Sequence, residues 1–110
     1  CGAINSLKNP LDYISFNVNG TVSLLEAAKE AEITKIIFSS SSTVYGNTSD
    51  APFVENMPNG TPTSPYAASK QASEMFIRMY HEMYGISAVV LRLFSVYGPR
   101  QRPDSGMYQF

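Results

Sequence analysis

The sequence predicts an α/β fold in the order helix, strand, long loop, helix, strand, with the two strands parallel. Three observations carry that expectation. Apolar residues recur at helical spacing over residues 10–31 and again over residues 65–84. A short, nearly continuous apolar run follows each of these stretches, as a buried parallel strand does. Each run then empties into polar sequence. Strand–helix–strand alternation of these lengths implies a right-handed crossover and a parallel layer.

Asn9 and Pro10 make a helix start, Asn to cap free backbone amides and Pro preset for the first helical position. Ile14, Val18, Val22, Leu25 and Ala28 then follow at the spacing of one buried face, and Gly20 within the helix leaves room for a close neighbour. Residues 35–40, Lys-Ile-Ile-Phe-Ser-Ser, read as the first strand. From Ser41 to Ser64 neither period is visible, and Gly46, Pro52, Pro58, Asn59, Gly60 and Pro62 punctuate the chain. A loop this long inside a compact domain is expected to be functional. The second helix opens near Pro65, carries Ala72, Met75, Phe76, Met79 and Met83 on one stripe, and ends at Gly85, suited to a left-handed cap. Residues 87–94 read as the second strand, and residues 98–106 as loop. Ligands of such sheets bind at the carboxyl ends of the strands, where both polar segments begin.

With 110 residues, a net charge of −1 and 44 % hydrophobic content, the chain holds one domain at most, and an incomplete layer of this size is expected to be marginal alone. Charge near zero argues against nucleic acid or an anionic membrane as partner; Arg100 with Arg102 is the compact basic cluster. The single cysteine, Cys1, can form neither an intrachain disulfide nor a multi-thiolate metal site, so nothing points to secretion and a reducing cytoplasm is the default. No apolar run approaches the length that crosses a bilayer, and no signal-peptide pattern opens the chain. Cys1-Gly2-Ala3-Ile4 without an initiator Met leads us to expect that sequence upstream is missing.

Tyr66 and Lys70 are four apart at the start of the second helix, so both project from one face and can meet one ligand. A free tyrosine titrates at about 10, and making it a base near neutrality needs roughly 4 kcal/mol of preferential stabilisation of phenolate. A nearby ammonium contributes to that. The pair alone is weakly specific. Its context, Ser64-Pro65-Tyr66-Ala67-Ala68-Ser69-Lys70 preceded by Ser39-Ser40-Ser41-Ser42-Thr43-Val44-Tyr45-Gly46 at a strand end, resembles the extended short-chain dehydrogenase/reductase family, in particular its NAD-dependent nucleotide-sugar epimerases. The resemblance runs from Asn17-Val18-Asn19-Gly20-Thr21 through Gly60-Thr61-Pro62 to Val96-Tyr97-Gly98-Pro99.

The resemblance implies a partial Rossmann-like, doubly wound NAD(P)-binding domain over residues 1–110. Tyr66 would be the catalytic acid/base. Lys70 would hold the nicotinamide ribose and, with the positively charged nicotinamide, lower the tyrosine pKa. Ser41 would bond the reacting sugar hydroxyl. Ser39 and Phe94 join Tyr66 and Lys70 as implied cofactor contacts, and Ser42, Ser95 and Arg102 join Ser41 as implied substrate contacts. The family reaction passes through a 4-keto sugar, with NAD as cofactor and no metal. Dehydratases and decarboxylases of the family carry an acidic residue before the valine of the Ser-Thr-Val stretch; Ser42 and Thr43 stand there, which favours simple C4 epimerisation.

Phe94-Ser95 and Gly98-Pro99-Arg100-Gln101-Arg102-Pro103-Asp104 resemble the substrate loop of UDP-glucuronate epimerases more than that of UDP-glucose epimerases. Arg102 is either a bidentate partner of a sugar carboxylate or diphosphate, or a solvated loop arginine. His81 reads as a surface histidine, and the helical methionines as core filler or a dimer face, since family members commonly pair as homodimers. The family's glycine-rich dinucleotide loop and its ribose-binding acid are absent from these 110 residues. The chain alone is therefore expected to be inactive. The alternative readings are a non-catalytic nucleotide-binding remnant of the fold, or part of a dehydratase or decarboxylase relative.

Overall fold

The computed structural model describes residues 2–49 and 51–101. Two parallel strands, β1 (Lys35–Ser41) and β2 (Ser87–Leu93), pair in register from Lys35 opposite Ser87 to Ser41 opposite Leu93. Ahead of β1 run α1 (Ala3–Lys8), α2 (Pro10–Tyr13), a π-helical segment (Ile14–Asn19) and α3 (Gly20–Glu30). A single turn of 3₁₀ helix (Ser42–Tyr45) follows β1, and the long α4 (Pro65–Tyr84) crosses back to β2.

Alternation along the strands sorts their side chains. Ile36, Phe38 and Ser40 share a face with Ala88, Val90 and Arg92, and that face meets α4. Leu25 of α3, Ile77 and Tyr80 of α4 and Ile86 form the core, with Ile36, Phe38, Phe76, Ala88 and Val90 packed on it. The opposite sheet face carries Ile37, Val89 and Leu91, all exposed.

α4 is a well-punctuated helix. Ser64, in extended conformation, accepts a hydrogen bond from the Ala67 amide at 3.1 Å, Pro65 stands at the first helical position, and Gly85 closes the helix with φ 69°. Its inward face differs from the apolar stripe expected: Ala67, Ser69, Ser73, Glu74, Ile77 and Tyr80 are buried. Met75 and Met83 are 70 % and 63 % exposed and Met79 is also exposed, so the methionines fill no core here. Small hydroxyl residues take the inward positions and bond Asn17 of the neighbouring helical segment, Ser73 at its carbonyl and Ser69 at its side chain. Ser73 Oγ donates to the Asn17 carbonyl at 2.9 Å, and Asn17 Nδ2 donates to Ser69 Oγ at 2.9 Å.

Those bonds account for the π segment. Widening the turn around Asn17 frees its carbonyl to accept from Thr21 Oγ1 at 2.5 Å as well as from Ser73. The widened turn also rotates the apolar stripe. Leu25 and Ala28 are buried as expected, Val18 and Val22 only half-buried, and Ile14 exposed. Two local expectations fail: Asn9 makes no side-chain cap, and a Cβ on Gly20 would meet nothing closer than the Ser15 carbonyl at 3.9 Å. α1 was not foreseen, because its one buried residue is Ser6.

Candidate active site

Tyr66 and Lys70 stand one turn apart at the start of α4, and Lys70 reaches the end of β1 at Ser39, two residues before Ser41. The Tyr66 amide donates to the buried Ser6 Oγ of α1 at 3.1 Å, and Tyr13 stands edge-on to the Tyr66 ring with centroids 6.0 Å apart. One turn on, Lys70 Nζ donates to the Ser39 carbonyl at 2.8 Å and lies 5.9 Å from the Tyr66 ring centroid and 5.0 Å from that of Phe38. Burial pushes the Lys70 pKa below that of a free lysine.

Ser41 ends β1 and is buried. Its Oγ accepts from the Thr43 amide at 3.2 Å and from Thr43 Oγ1 at 3.0 Å, capping the 3₁₀ turn. Both contacts use the hydroxyl as acceptor, which leaves its own proton to donate. Val44 and Tyr45, both buried, pin the turn beneath the loop.

The loop is folded against this turn. Gln71 Nε2, one residue past Lys70, donates to the carbonyls of Val44 at 2.9 Å and Gly60 at 2.7 Å, and the Gly60 amide returns a bond to Val44 at 3.0 Å. A Cβ on Gly60 would stand 2.1 Å from the Tyr45 carbonyl oxygen, so only glycine permits this approach.

Two residues outside the expected set complete the arrangement. Glu74 Oε1 accepts from Ser40 Oγ at 2.5 Å, and its Oε2 pairs with Arg92 Nη2 at 2.9 Å. Arg92 also bonds Asn59 Oδ1 at 2.7 Å and sits 4.8 Å from the Tyr45 ring centroid. The Glu74 carboxylate holds the Arg92 guanidinium pKa above its usual range. A sequence signal for this pair exists: Arg92 interrupts an otherwise apolar strand, and a charge there needs a buried partner. Glu74, four residues after Lys70 on the same helix, is the carboxylate in reach.

The remaining expected residues are placed unevenly. Ser39 meets Lys70 through its carbonyl, and Ser42 opens the 3₁₀ turn half-buried. Phe94 lies just past β2 rather than within it, exposed, with its ring 5.7 Å from Phe53. Ser95 is exposed beyond it, near the strand end because Leu93 pairs with Ser41. Arg102 and Cys1 lie outside the described residues. His81 is on the surface with Nδ1 3.1 Å from the Ile86 carbonyl, and no group of His, Cys, Asp and Glu among the described residues could hold a metal ion. No helix of the described residues is long and apolar enough to cross a membrane.

The donor set suits the nicotinamide-ribose end of a dinucleotide. Lys70 spends one of three N–H donors on Ser39 and keeps two for a diol, beside the Tyr66 ring. Nothing among the described residues forms the glycine-rich cradle that a pyrophosphate needs.

Comparison with known proteins bears on this arrangement. The profile of the family described as GDP-mannose 4,6 dehydratase matches residues 4–107. The chain is 41 % identical over 109 residues to a UDP-glucuronate 4-epimerase of Thermodesulfobacterium geofontis, covering 99 % of this chain and 33 % of that protein. Among solved structures it resembles the UDP-N-acetylglucosamine 4-epimerase of Methanobrevibacter ruminantium in complex with UDP-N-acetylmuramic acid. That likeness has a TM-score of 0.90 and 41 % identity over 97 % of this chain and 34 % of that one. It also resembles DesIV, the dTDP-glucose 4,6-dehydratase of Streptomyces venezuelae with NAD bound, with a TM-score of 0.92 and 32 % identity over 99 % of this chain and 34 % of that one. The chain thus spans about a third of the length of these relatives. These likenesses bear out the Rossmann-like parallel fold expected from the Ser-Thr-Val-Tyr and Tyr-x-x-x-Lys segments. Matched from residue 4 to residue 107, the chain belongs to the GDP-mannose 4,6 dehydratase family of NAD-dependent epimerases and dehydratases.

Proposed function

We propose that this chain is the chemical portion of a longer NAD-dependent nucleotide-sugar 4-epimerase acting on a UDP-sugar, with UDP-glucuronate ahead of UDP-glucose. One observation carries the reading: Lys70, beside the Tyr66 ring, is clamped to the Ser39 carbonyl at the end of β1, two residues before the buried Ser41.

In this reading Lys70 offers its two remaining N–H donors to the ribose hydroxyls of NAD. NAD, when bound, supplies a reversible two-electron acceptor. Tyr66 takes the proton from the sugar C4 hydroxyl and returns it, as a positioned acid and base. Ser41 donates its free hydroxyl proton to the C4 oxygen and holds it facing Tyr66. Ser42 and Thr43 supply no carboxylate for an elimination, and the 41 % identities to epimerases exceed the 32 % to DesIV. The pyrophosphate cradle belongs, in our reading, to the other two thirds of the enzyme. The exposed Leu24, Met75 and Met79 of α3 and α4 then serve as the homodimer face.

The test uses the complete enzyme, loaded with NAD, on UDP-glucuronate. UDP-galacturonate should form, and Tyr66→Phe should lower turnover about 10²- to 10⁴-fold with NAD retained. A water-loss 4-keto product would establish the dehydratase reading that the family description favours. Failure to bind NAD together with absent turnover would remove the enzyme reading. Arg102→Ala should slow UDP-glucuronate more than UDP-glucose; equal loss on both assigns Arg102 to the diphosphate.

A further inference from the structure

We propose that Glu74 and Arg92 are positioning residues that hold the end of β1 and the long loop in register with Tyr66 and Lys70. This rests on the function proposed above and concerns residues that touch neither substrate nor cofactor in that reading.

The argument begins with spacing. Lys70 and Glu74 are four apart on α4, and they grip consecutive residues of β1: Lys70 bonds the Ser39 carbonyl at 2.8 Å, and Glu74 accepts from Ser40 Oγ at 2.5 Å. The helix that carries the acid/base is thus fixed to the two residues before Ser41. Arg92 lies opposite Ser40 in the strand register, so its side chain emerges on the same face and reaches the same carboxylate. The same guanidinium also holds the loop, through Nη2 to Asn59 Oδ1 at 2.7 Å, Nη1 to the Met57 carbonyl at 3.5 Å, and the Tyr45 ring.

One carboxylate and one guanidinium therefore join four pieces of chain: the end of β1, the loop, α4 and β2. A buried ion pair is a weak source of stability, since an apolar pair of similar volume often does as well. Directional bonds are what an apolar pair cannot supply. Glu74 is 5 % exposed and has all its bonds within this network, so its orientation is fixed by Ser40 and Arg92 together. Displacing a reacting group by about 1 Å can cost on the order of 10²-fold in rate.

Ser40→Ala in the complete enzyme removes one bond and leaves the ion pair in place. It should lower kcat roughly ten-fold, with KM for the UDP-sugar, NAD content and melting temperature near wild type, and Ser40→Thr should restore the rate. Arg92→Lys keeps the charge and loses the fork. In that variant amide exchange should quicken at Val44, Tyr45 and Gly60 while Ile77 and Tyr80 keep their protection. Wild-type kcat in Ser40→Ala, or a loss that follows the melting temperature and is not restored by Thr, overturns the proposal. If the wild-type enzyme turns over no UDP-sugar, the proposed function fails, and the exchange pattern of Arg92→Lys still decides the positioning role: unchanged exchange at Val44, Tyr45 and Gly60 ends it.

Discussion

The carboxyl end of β1 and the outer face of the same two-stranded sheet share their strands, yet their side chains differ in whether they have found partners. At the strand end Ser40, Ser41, Lys70, Glu74 and Arg92 are hydrogen-bonded to one another or to nearby backbone. On the outer face Ile37 is 74 % exposed and Val89 55 % exposed, with Leu91 bare beside them. The contrast teaches that polar geometry at the site is set within this stretch of chain, whereas burial of the sheet is not. Directional bonds close over a few residues, but apolar area needs a whole layer to cover it.

The largest expected effect breaks the self-contained end. Gly60→Ala places a methyl group against the Tyr45 carbonyl, which is backbone and cannot swing aside. The loop must then leave Val44 and Gln71. We expect a loss on the order of 3 kcal/mol in unfolding free energy of the complete enzyme, measured by denaturant titration, with kcat falling alongside. A loss below about 0.5 kcal/mol, the range of ordinary surface changes, would mean that the loop does not depend on this contact.

How far the sequence foretold each region follows the same division. α4 was legible because its signals are local: Pro65 at the start, Gly85 at the end and helical spacing between. Strands 35–41 and 87–93 were legible as apolar runs following helices. The demand for glycine at Gly60 was not, because the atom that imposes it belongs to Tyr45, fifteen residues earlier along a loop without a period. The π segment escaped for a subtler reason. A stripe at Ile14, Val18 and Val22 fits a regular helix, and only the hydroxyls of Ser73 and Thr21, claiming the Asn17 carbonyl, widen the turn. Ser41, Tyr66 and Lys70 stand out in the sequence by resemblance to a motif, while Glu74 and Arg92 do not, because a lone charge in a strand reads as part of an apolar run.

The bare face offers the next effect. Judged from this chain alone, Val89→Ser changes an exposed residue and should cost less than about 0.5 kcal/mol. If further chain covers the sheet in the longer enzyme proposed above, Val89 is buried there and the cost should rise to roughly 2 kcal/mol. Denaturant midpoints of the complete enzyme and its Val89→Ser variant separate the two. A near-zero change would mean that this face stays open, and would weaken the placing of this chain inside a doubly wound sheet.

The smallest effect compares two lysines, one from each kind of surroundings. Lys70 sits half-buried at the site, and loss of solvent lowers its folded-state pKa. Lys29 sits on the surface, where its salt bridge with Glu26 raises its pKa. Between the depressed value of Lys70 and the unfolded value of about 10.4, the unfolded chain holds a proton that the folded chain lacks, so stability rises with pH. NAD-free wild type should therefore gain on Lys70→Met as pH climbs from about 8 to about 11. For Lys29 the sign reverses: its contribution is complete below the unfolded pKa and disappears as pH rises through the raised folded value. Wild type should accordingly lose ground to Lys29→Met over the most alkaline part of that range. Melting temperatures of the three proteins against pH read both slopes. Equal slopes for the two variants would mean that Lys70 is as well solvated as Lys29, and that the end of β1 does not shield the ammonium on which the proposed chemistry relies.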